Sequence, residues 1–397
     1  MKKRIVAMAL ALLLLAAALP AGVLAAEETE SINVYNWGQY ISDGSDGYID
    51  VIEEFEKATG IHVNYTTFDS NETMYTKLKT GGSSYDVIIP SDYMIARLIA
   101  EDMLEPLDFS NIPNYQYIDE SFKNTDYDPE NVYSVPYTWG TVGLIYNTKY
   151  VDNVTSWTAL WDEAYKGKIL MFDNCRDAFG IAELIKGFSL NTEDQAEFED
   201  VAALLQEQKP LLQQYVMDQI FERMEREEAW IAPYYAGDFL MMVQENPDLA
   251  FCLPEEGFNL FIDAMCIPKG CTNKAGAEAF INFLCDPEIS GRNLDYLGYS
   301  TPISAAKEYM DPETVSSPVA YPDAETLSRG ASFRALSIDA NQRMDALWLD
   351  VKSTGSNTTV YLIAGGAAIV ILVVLLIVLQ VRKKKKKARR GKHGSAS

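Results

Sequence analysis

The order of strand-like and helix-like segments ahead of residue 90 constrains this chain most. Ile32-Asn33-Val34-Tyr35-Asn36 reads as a short strand. Tyr48 to Ala58 reads as a helix, because Val51, Ile52 and Phe55 share a face and Gly60 follows as a stop. Ile61-His62-Val63-Asn64-Tyr65 alternates as a strand does, and Asn71 to Lys79 is helical up to Gly81-Gly82. Asp86-Val87-Ile88-Ile89 is a continuous apolar run, as expected of a strand buried on both faces. This β-α-β-α-β order predicts a mostly parallel sheet flanked by helices. The pattern resumes with Lys168 to Phe172 (strand), Arg176 to Lys186 (helix) and Trp230 to Tyr235 (strand). Phe258 to Asp263 is either a further strand or a crossover between lobes.

The two ends have a different character. Residues 1–25 combine a basic start, an apolar run from Ile5 to Leu19 and a Val23-Leu24-Ala25 cleavage site, the build of a secretory signal peptide. An uncleaved anchor is the weaker alternative, because the apolar run is short. Val360 to Leu379 carries no charged residue. At a rise of roughly 1.5 Å per residue, such a helix spans the roughly 30 Å core of a bilayer. Arg382, Lys383 to Lys387, Arg389, Arg390 and Lys392 follow it, and basic flanks stay on the cytoplasmic side. We therefore expect a polar stalk over 351–359, a transmembrane helix over 360–381 and a basic cytoplasmic tail over 382–397, with the body held outside the cell membrane. A processed sorting signal shares the hydrophobic-then-basic order, but no Leu-Pro-x-Thr-Gly-like element precedes it. The tail would also attract anionic lipid headgroups.

Between these ends lie about 330 residues, enough for two α/β lobes. Of the 33 Lys and Arg, three stand at the extreme N-terminus and nine after residue 381, so the body sets 21 basic residues against all 57 acids. A body this acidic repels nucleic acid phosphates and attracts cations, polycations included. Nucleic acid is excluded as a partner. The five cysteines (175, 252, 266, 271 and 285) show no CxxC or Cys/His ligand spacing, so no metal site is expected. They read as buried small hydrophobes, with Cys266–Cys271 as a candidate bridge.

Ligands of open α/β sheets bind beyond the carboxyl ends of the strands. Those positions read Trp37-Gly38-Gln39-Tyr40, Ser91-Asp92-Tyr93, Asp173-Asn174 with Asp177, Tyr235 with Asp238, and Phe261 with Asp263. Aromatics and carboxylates recur together, and the one Arg, Arg176, sits beside Asp177. Acids pair with ammonium groups while ring faces cover a carbon chain, so the set suits an organic cation. Each position alone is weak, since an Asp after a strand is about as often a helix cap, as for Asp92 and Asp173. Catalysis has little support. His62 lies in a strand pattern and is expected at the surface, and no G-x-S-x-G, HExxH, P-loop or helix-opening G-x-G-x-x-G occurs. A glycosidase-like pair of acids keeps an enzyme reading open at low weight. No catalytic residue and no cofactor is assigned.

Tyr35 to Tyr40, Ser70 to Tyr75 with Lys77-Leu78-Lys79, Tyr85 to Ser91, Val135 to Gly140, Ala236-Gly237-Asp238, and Tyr321 to Thr326 form an ordered set of segments. Together they resemble the spermidine/putrescine-binding family of polyamine ABC importers. The likeness spans about residues 30 to 350. It implies a type II periplasmic-binding-protein-like fold: lobe 1 over 30–138 and 264–307, lobe 2 over 139–263 and 308–350, and a ligand cleft between them that closes by a hinge. It implies Trp37, Tyr93, Tyr235, Phe261 and Tyr299 as aromatic walls, Asp177 and Asp263 as the pair that holds one terminal ammonium, and Asp238 as an acid of putrescine-type members. Gln39, Ser91 and Asn174 complete the implied ligand set. Gln39 stands where the family has an acid for the far ammonium, and Asn174 where spermidine-type members have one near the middle amine. Phe261 and Tyr235 replace tryptophans. The combination leans towards a diamine. The implied partners are a polyamine and an ABC permease with its ATPase. The rival readings are the same fold binding another organic cation, and a sensory ectodomain.

Overall fold

Alternation along strand β1 (Ser31–Trp37) buries Ile32, Val34 and Asn36 completely, which fixes its place inside a sheet. The computed structural model describes residues 30–81 and 84–354. Helix α1 (Val51–Thr59) starts at Asp50, whose side chain accepts from the Glu53 amide, and stops at Gly60, where φ is +75°. A left-handed residue there costs least as glycine. Strand β2 (His62–Phe68) pairs parallel with β1 over its whole length, and helix α2 (Asn71–Thr80) opens with a capping box between Ser70 and Thr73. Strand β3 (Val87–Ile88) joins β1 in parallel and leads into helix α3 (Asp92–Ala100). The β-α-β-α-β expectation for this half is met. His62 is exposed and contacts Glu56 through Nδ1 at 2.8 Å.

The longest strand, β4 (Ser134–Asn147), was not expected from the sequence. All fourteen of its residues are buried, so no alternation marks it, and Pro136, Gly140 and Gly143 argue against a strand on propensity. Beyond it come β5 (Ile169–Phe172), α4 (Cys175–Lys186), α5 (Gln195–Gln208), β6 (Leu212–Val216), α6 (Ile220–Glu225), β7 (Ile231–Tyr235), α7 (Ala236–Glu245), β8 (Leu249–Cys252) and β9 (Phe258–Cys266). Helices α8 (Lys274–Leu284) and α9 (Pro287–Leu297), two short helices α10 (Pro312–Ser316) and α11 (Ala324–Leu327), strand β10 (Gly330–Ala331) and helix α12 (Ile338–Ser353) complete the described chain.

The strand order is β2-β1-β3-β9-β4-β7-β5-β6, with β10 beside β9 and β8 beside β4. The first half of β4 pairs antiparallel with β9, from Ser134 opposite Cys266 to Thr141 opposite Leu260. Its second half pairs with β7 and β8. Two long antiparallel strands thus join a parallel set around β1 to a parallel set around β5, in a two-lobed α/β fold. Phe258 to Asp263 is accordingly a strand, three residues longer than read, and it links both sets.

Helix α12 packs on α5, and Trp348 lies edge-on to Tyr215 at 5.2 Å and to Phe179 at 6.5 Å. Val351 is fully buried, so the first residues of the expected stalk belong to this helix. Stalk residues 355–359, the signal segment 1–25, the helix 360–381 and the tail lie outside the described residues. Among the described residues no helix is long and apolar enough to cross a membrane. The candidate Cys266–Cys271 bridge is corrected. All five cysteines are free, because Cys266 is buried at the end of β9 while the Cys271 thiol turns to Asp86 Oδ1 at 3.2 Å.

Candidate ligand-binding site

A cleft of about 660 Å³, counted with the solvent at its mouth, opens beyond the carboxyl ends of β1, β3, β5, β6 and β7 and along one face of β9. Trp37, Ser91, Tyr93, Asn174, Asp177, Tyr235, Asp238, Phe261, Asp263 and Tyr299 all line it. Gln39 does not. The chain turns through the left-handed region at Gln39 (φ +49°), which leaves its side chain exposed and sends Tyr40 inward.

Three carboxylates carry the chemistry, and each accepts a tyrosine hydroxyl. Tyr40 donates to Asp263 Oδ2 at 2.6 Å, Tyr235 to Asp177 Oδ2 at 2.9 Å, and Tyr299 to Asp238 Oδ2 at 2.9 Å. All three acids are under a tenth exposed. Desolvation raises Asp263 to about 6, Asp177 to about 7 and Asp238 to about 8, with the tyrosine bonds opposing it in each case. Asp177 and Asp238 sit in the first turns of α4 and α7, and Asp92 in that of α3. A bare helix N-terminus attracts anions; here each one facing the cleft is answered by its own acid, which turns the site towards cations.

Several other polar groups near the cleft are committed elsewhere. Asn174 caps α4, its Oδ1 accepting from the amides of Arg176 and Asp177 while its Nδ2 donates to Asp177 Oδ2 at 2.5 Å. Its carbonyl is therefore occupied by the helix. Asp92 accepts from the amide of Tyr93 at 2.7 Å and from that of Ile262 at 3.4 Å, fastening α3 to β9, and burial raises its pKa well above the usual carboxylate range. Asp173 is exposed, lies outside the cleft lining and pairs with Lys352 at 2.8 Å. Arg176 is buried against the Phe333 ring at 4.3 Å, and its Nη2 donates to Asn191 and to the Arg334 carbonyl. It does not line the cleft, nor does any other Arg or Lys.

Aromatic rings close the remaining sides. Phe261 meets Tyr235 edge-on at 5.5 Å and Tyr299 at 6.3 Å, while Tyr40 stands against Tyr299 at 5.1 Å. Trp37 is held by its Nε1 on the Ile89 carbonyl at 2.9 Å. The Tyr93 hydroxyl accepts from Asn71 and donates to Glu72. Tyr40, read at a strand end but not assigned to the site, also lines the cleft, as do Asn71, Asp218, Tyr234, Asn259 and Phe333, which sequence reasoning missed. Asn259 was findable, since it lies two residues from Phe261 and four from Asp263 on one strand and so shares their face. Among the described residues no group of three or more His, Cys, Asp or Glu could hold a metal ion.

Residues 50–323 match the family model for bacterial extracellular solute-binding proteins. The chain belongs to that family. Among its relatives is the spermidine/putrescine-binding periplasmic protein of Escherichia coli, 35% identical over 323 residues, or 80% of this chain and 91% of that one. The solved spermidine/putrescine substrate-binding protein PotD of Streptococcus pneumoniae is 38% identical, with a TM-score of 0.68, covering 81% of this chain and 98% of its own. A Listeria monocytogenes structure named for a spermidine/putrescine ABC transporter gives a TM-score of 0.78 at 38% identity, covering 82% of this chain and 99% of that one. The resemblance read from the sequence is borne out.

Proposed function

We propose that this solute-binding protein captures polyamines outside the cytoplasm and delivers them to an ABC permease with its ATPase. The observation that carries the reading is the set of three buried carboxylates, each tethered to a tyrosine hydroxyl, among aromatic rings and without a lining Lys or Arg. Such a site compensates ammonium groups and covers the methylenes between them. The names of the relatives support the same ligand class. Asp177 and Asp263 hold one terminal ammonium in this reading. Commitment of Asn174 to the α4 cap, together with Asp238 in the cleft, supports a diamine over spermidine.

The lobe boundaries at 138/139 and 263/264 are part of the proposal. They are supported by the register, since Thr138 opposite Asp263 and Trp139 opposite Ile262 stand just past a shift at Pro136/Thr138. Hinge closure about these strands would seal the ligand. The body is tethered to the cell membrane by the apolar segment 360–381, with tail 382–397 inside. The rival ligand class is another organic cation. Thermal unfolding of the full chain in nanodiscs, with putrescine, cadaverine, spermidine, spermine, choline and arginine, separates the two, because a ligand of the native state raises Tm by mass action. A rise with choline or arginine and none with any polyamine would overturn the reading.

A further inference from the structure

The turn at Gln39 leaves the far end of the cleft without the acid that a second ammonium needs there. Asp92 also lines the cleft, but both of its oxygens already accept backbone amides that fasten α3 to β9. A different acid stands at that end. Asp218 follows β6, lines the cleft and meets Gly38, the neighbour of Gln39: a Cβ added to Gly38 would overlap Asp218 Oδ2. Among the described residues its carboxyl has no hydrogen-bond or ion-pair partner. Its side chain is open to solvent at the mouth, yet enough protein surrounds it that desolvation raises its pKa, with Asp69 adding to the rise. Asp218 in turn opposes ionisation of Asp238.

Two further groups ask for donors. Among the described residues, Asp263 Oδ1 and Asn259 Oδ1 are buried without a hydrogen-bond partner, on residues under a tenth exposed that face the same cleft. An orphaned buried acceptor is costly, and a ligand rich in N–H donors is what relieves it.

We propose that Asp218 is the specificity-determining carboxylate for the second ammonium of a diamine, taking from the β6 side of the cleft the role an acid at position 39 would have. The inference rests on the polyamine reading above. Asp218 and Asp238 then serve one amine, Asp177 and Asp263 the other, with Phe261 and Tyr299 along the methylenes. Gly38 leaves room for the carboxylate to reach this point. Gly38 does not have a positive φ, so alanine there meets no backbone strain, only Asp218.

The test compares putrescine with n-butylamine, which keeps the carbon chain and one amine, by calorimetry on the full chain in nanodiscs. The proteins are wild type, Asp218→Asn, Gly38→Ala and Asp263→Asn. We expect Asp218→Asn to weaken putrescine by about tenfold or more, as for loss of one charge-assisted hydrogen bond, and n-butylamine by no more than about twofold. Gly38→Ala should show the same selective loss, while Asp263→Asn weakens both ligands. Wild-type putrescine affinity in Asp218→Asn, or equal losses for the two ligands, would overturn the assignment and leave the polyamine reading standing. Failure of wild type to bind any polyamine would remove that reading first, and this inference with it.

Discussion

Acidifying the medium should weaken ligand binding by an amount that the buried carboxylates set. A cationic ligand takes them ionised, while in the free protein desolvation holds Asp263 near about 6, Asp177 near about 7 and Asp238 near about 8. At roughly 1.36 kcal/mol per pKa unit, ionising Asp238 at pH 6 costs about 3 kcal/mol and Asp177 about 1 kcal/mol. At pH 8 the two together cost less than about 1 kcal/mol by the same relation. The acids share one cleft and titrate together, so the sum is an upper bound. Between pH 8 and pH 6 the affinity for putrescine should therefore fall by about ten- to a thousandfold. Alkylamines resemble the lysine side chain, with a pKa near about 10.4, and so stay charged throughout. Calorimetry in buffers of different ionisation enthalpy should show protons released on binding, more of them at pH 6 than at pH 8. A pH-independent affinity, or binding with no proton release, would refute the role given to these desolvated acids.

Other outcomes follow from the same geometry. Asp263→Asn should cost about 2–5 kcal/mol of binding, the range for breaking one side of a buried charged pair, and titration calorimetry at pH 8 measures it. The same acids act in the opposite sense on folding. Their folded pKa values lie above the unfolded carboxylate value, so the stability they contribute is full at low pH and is lost as pH rises through about 6 to 8. Asp238→Asn should therefore raise the ligand-free Tm more at pH 9 than at pH 5; an equal rise at both would mean that Asp238 is not desolvated. Gly237→Ala places a Cβ inside the Tyr299 ring, so it should destabilise the protein by about 1–3 kcal/mol, the usual cost of overpacking, and weaken putrescine through Asp238. Protease added outside intact cells should release the body and spare a tag placed after Ser397; cleavage of the tag from outside would reverse the proposed topology.

Strands β1, β2 and β3 were legible because two capped helices punctuate them. Asp50 before α1 and Ser70 before α2 mark their helices in the sequence as plainly as they do in the structure. Strand β4 was not, since burial on all sides erases alternation and its prolines and glycines serve a crossing that only the tertiary fold defines. Strand β6 was missed for the opposite reason. It lies at the end of the strand order with Gln213 and Gln214 exposed, so it lacks an apolar signature. With β6 unseen, the position after it was never inspected, and Asp218 stayed hidden.

Within the cleft, the acids after β5 and β7 and on β9 were readable because a period of two and the carboxyl-end rule place them. Their pairing with tyrosine hydroxyls was not. The hydroxyl of Tyr40 reaches Asp263 across 223 residues of sequence, a pairing that no local pattern encodes. Gln39 shows the converse: the run Trp37 to Tyr40 resembles the family, yet one left-handed residue decides which of its side chains faces inward.

The most direct measurement is a calorimetric titration of the full chain, in nanodiscs at pH 8, with putrescine and with 1,4-butanediol. The diol has the same carbon chain and end-group spacing but no charge. If tyrosine-held carboxylates define the site, putrescine saturates one site per chain and the diol gives no saturable heat. Absence of saturable binding by putrescine, spermidine and spermine alike, or equal binding of the diol, would contradict a cation-selective cleft.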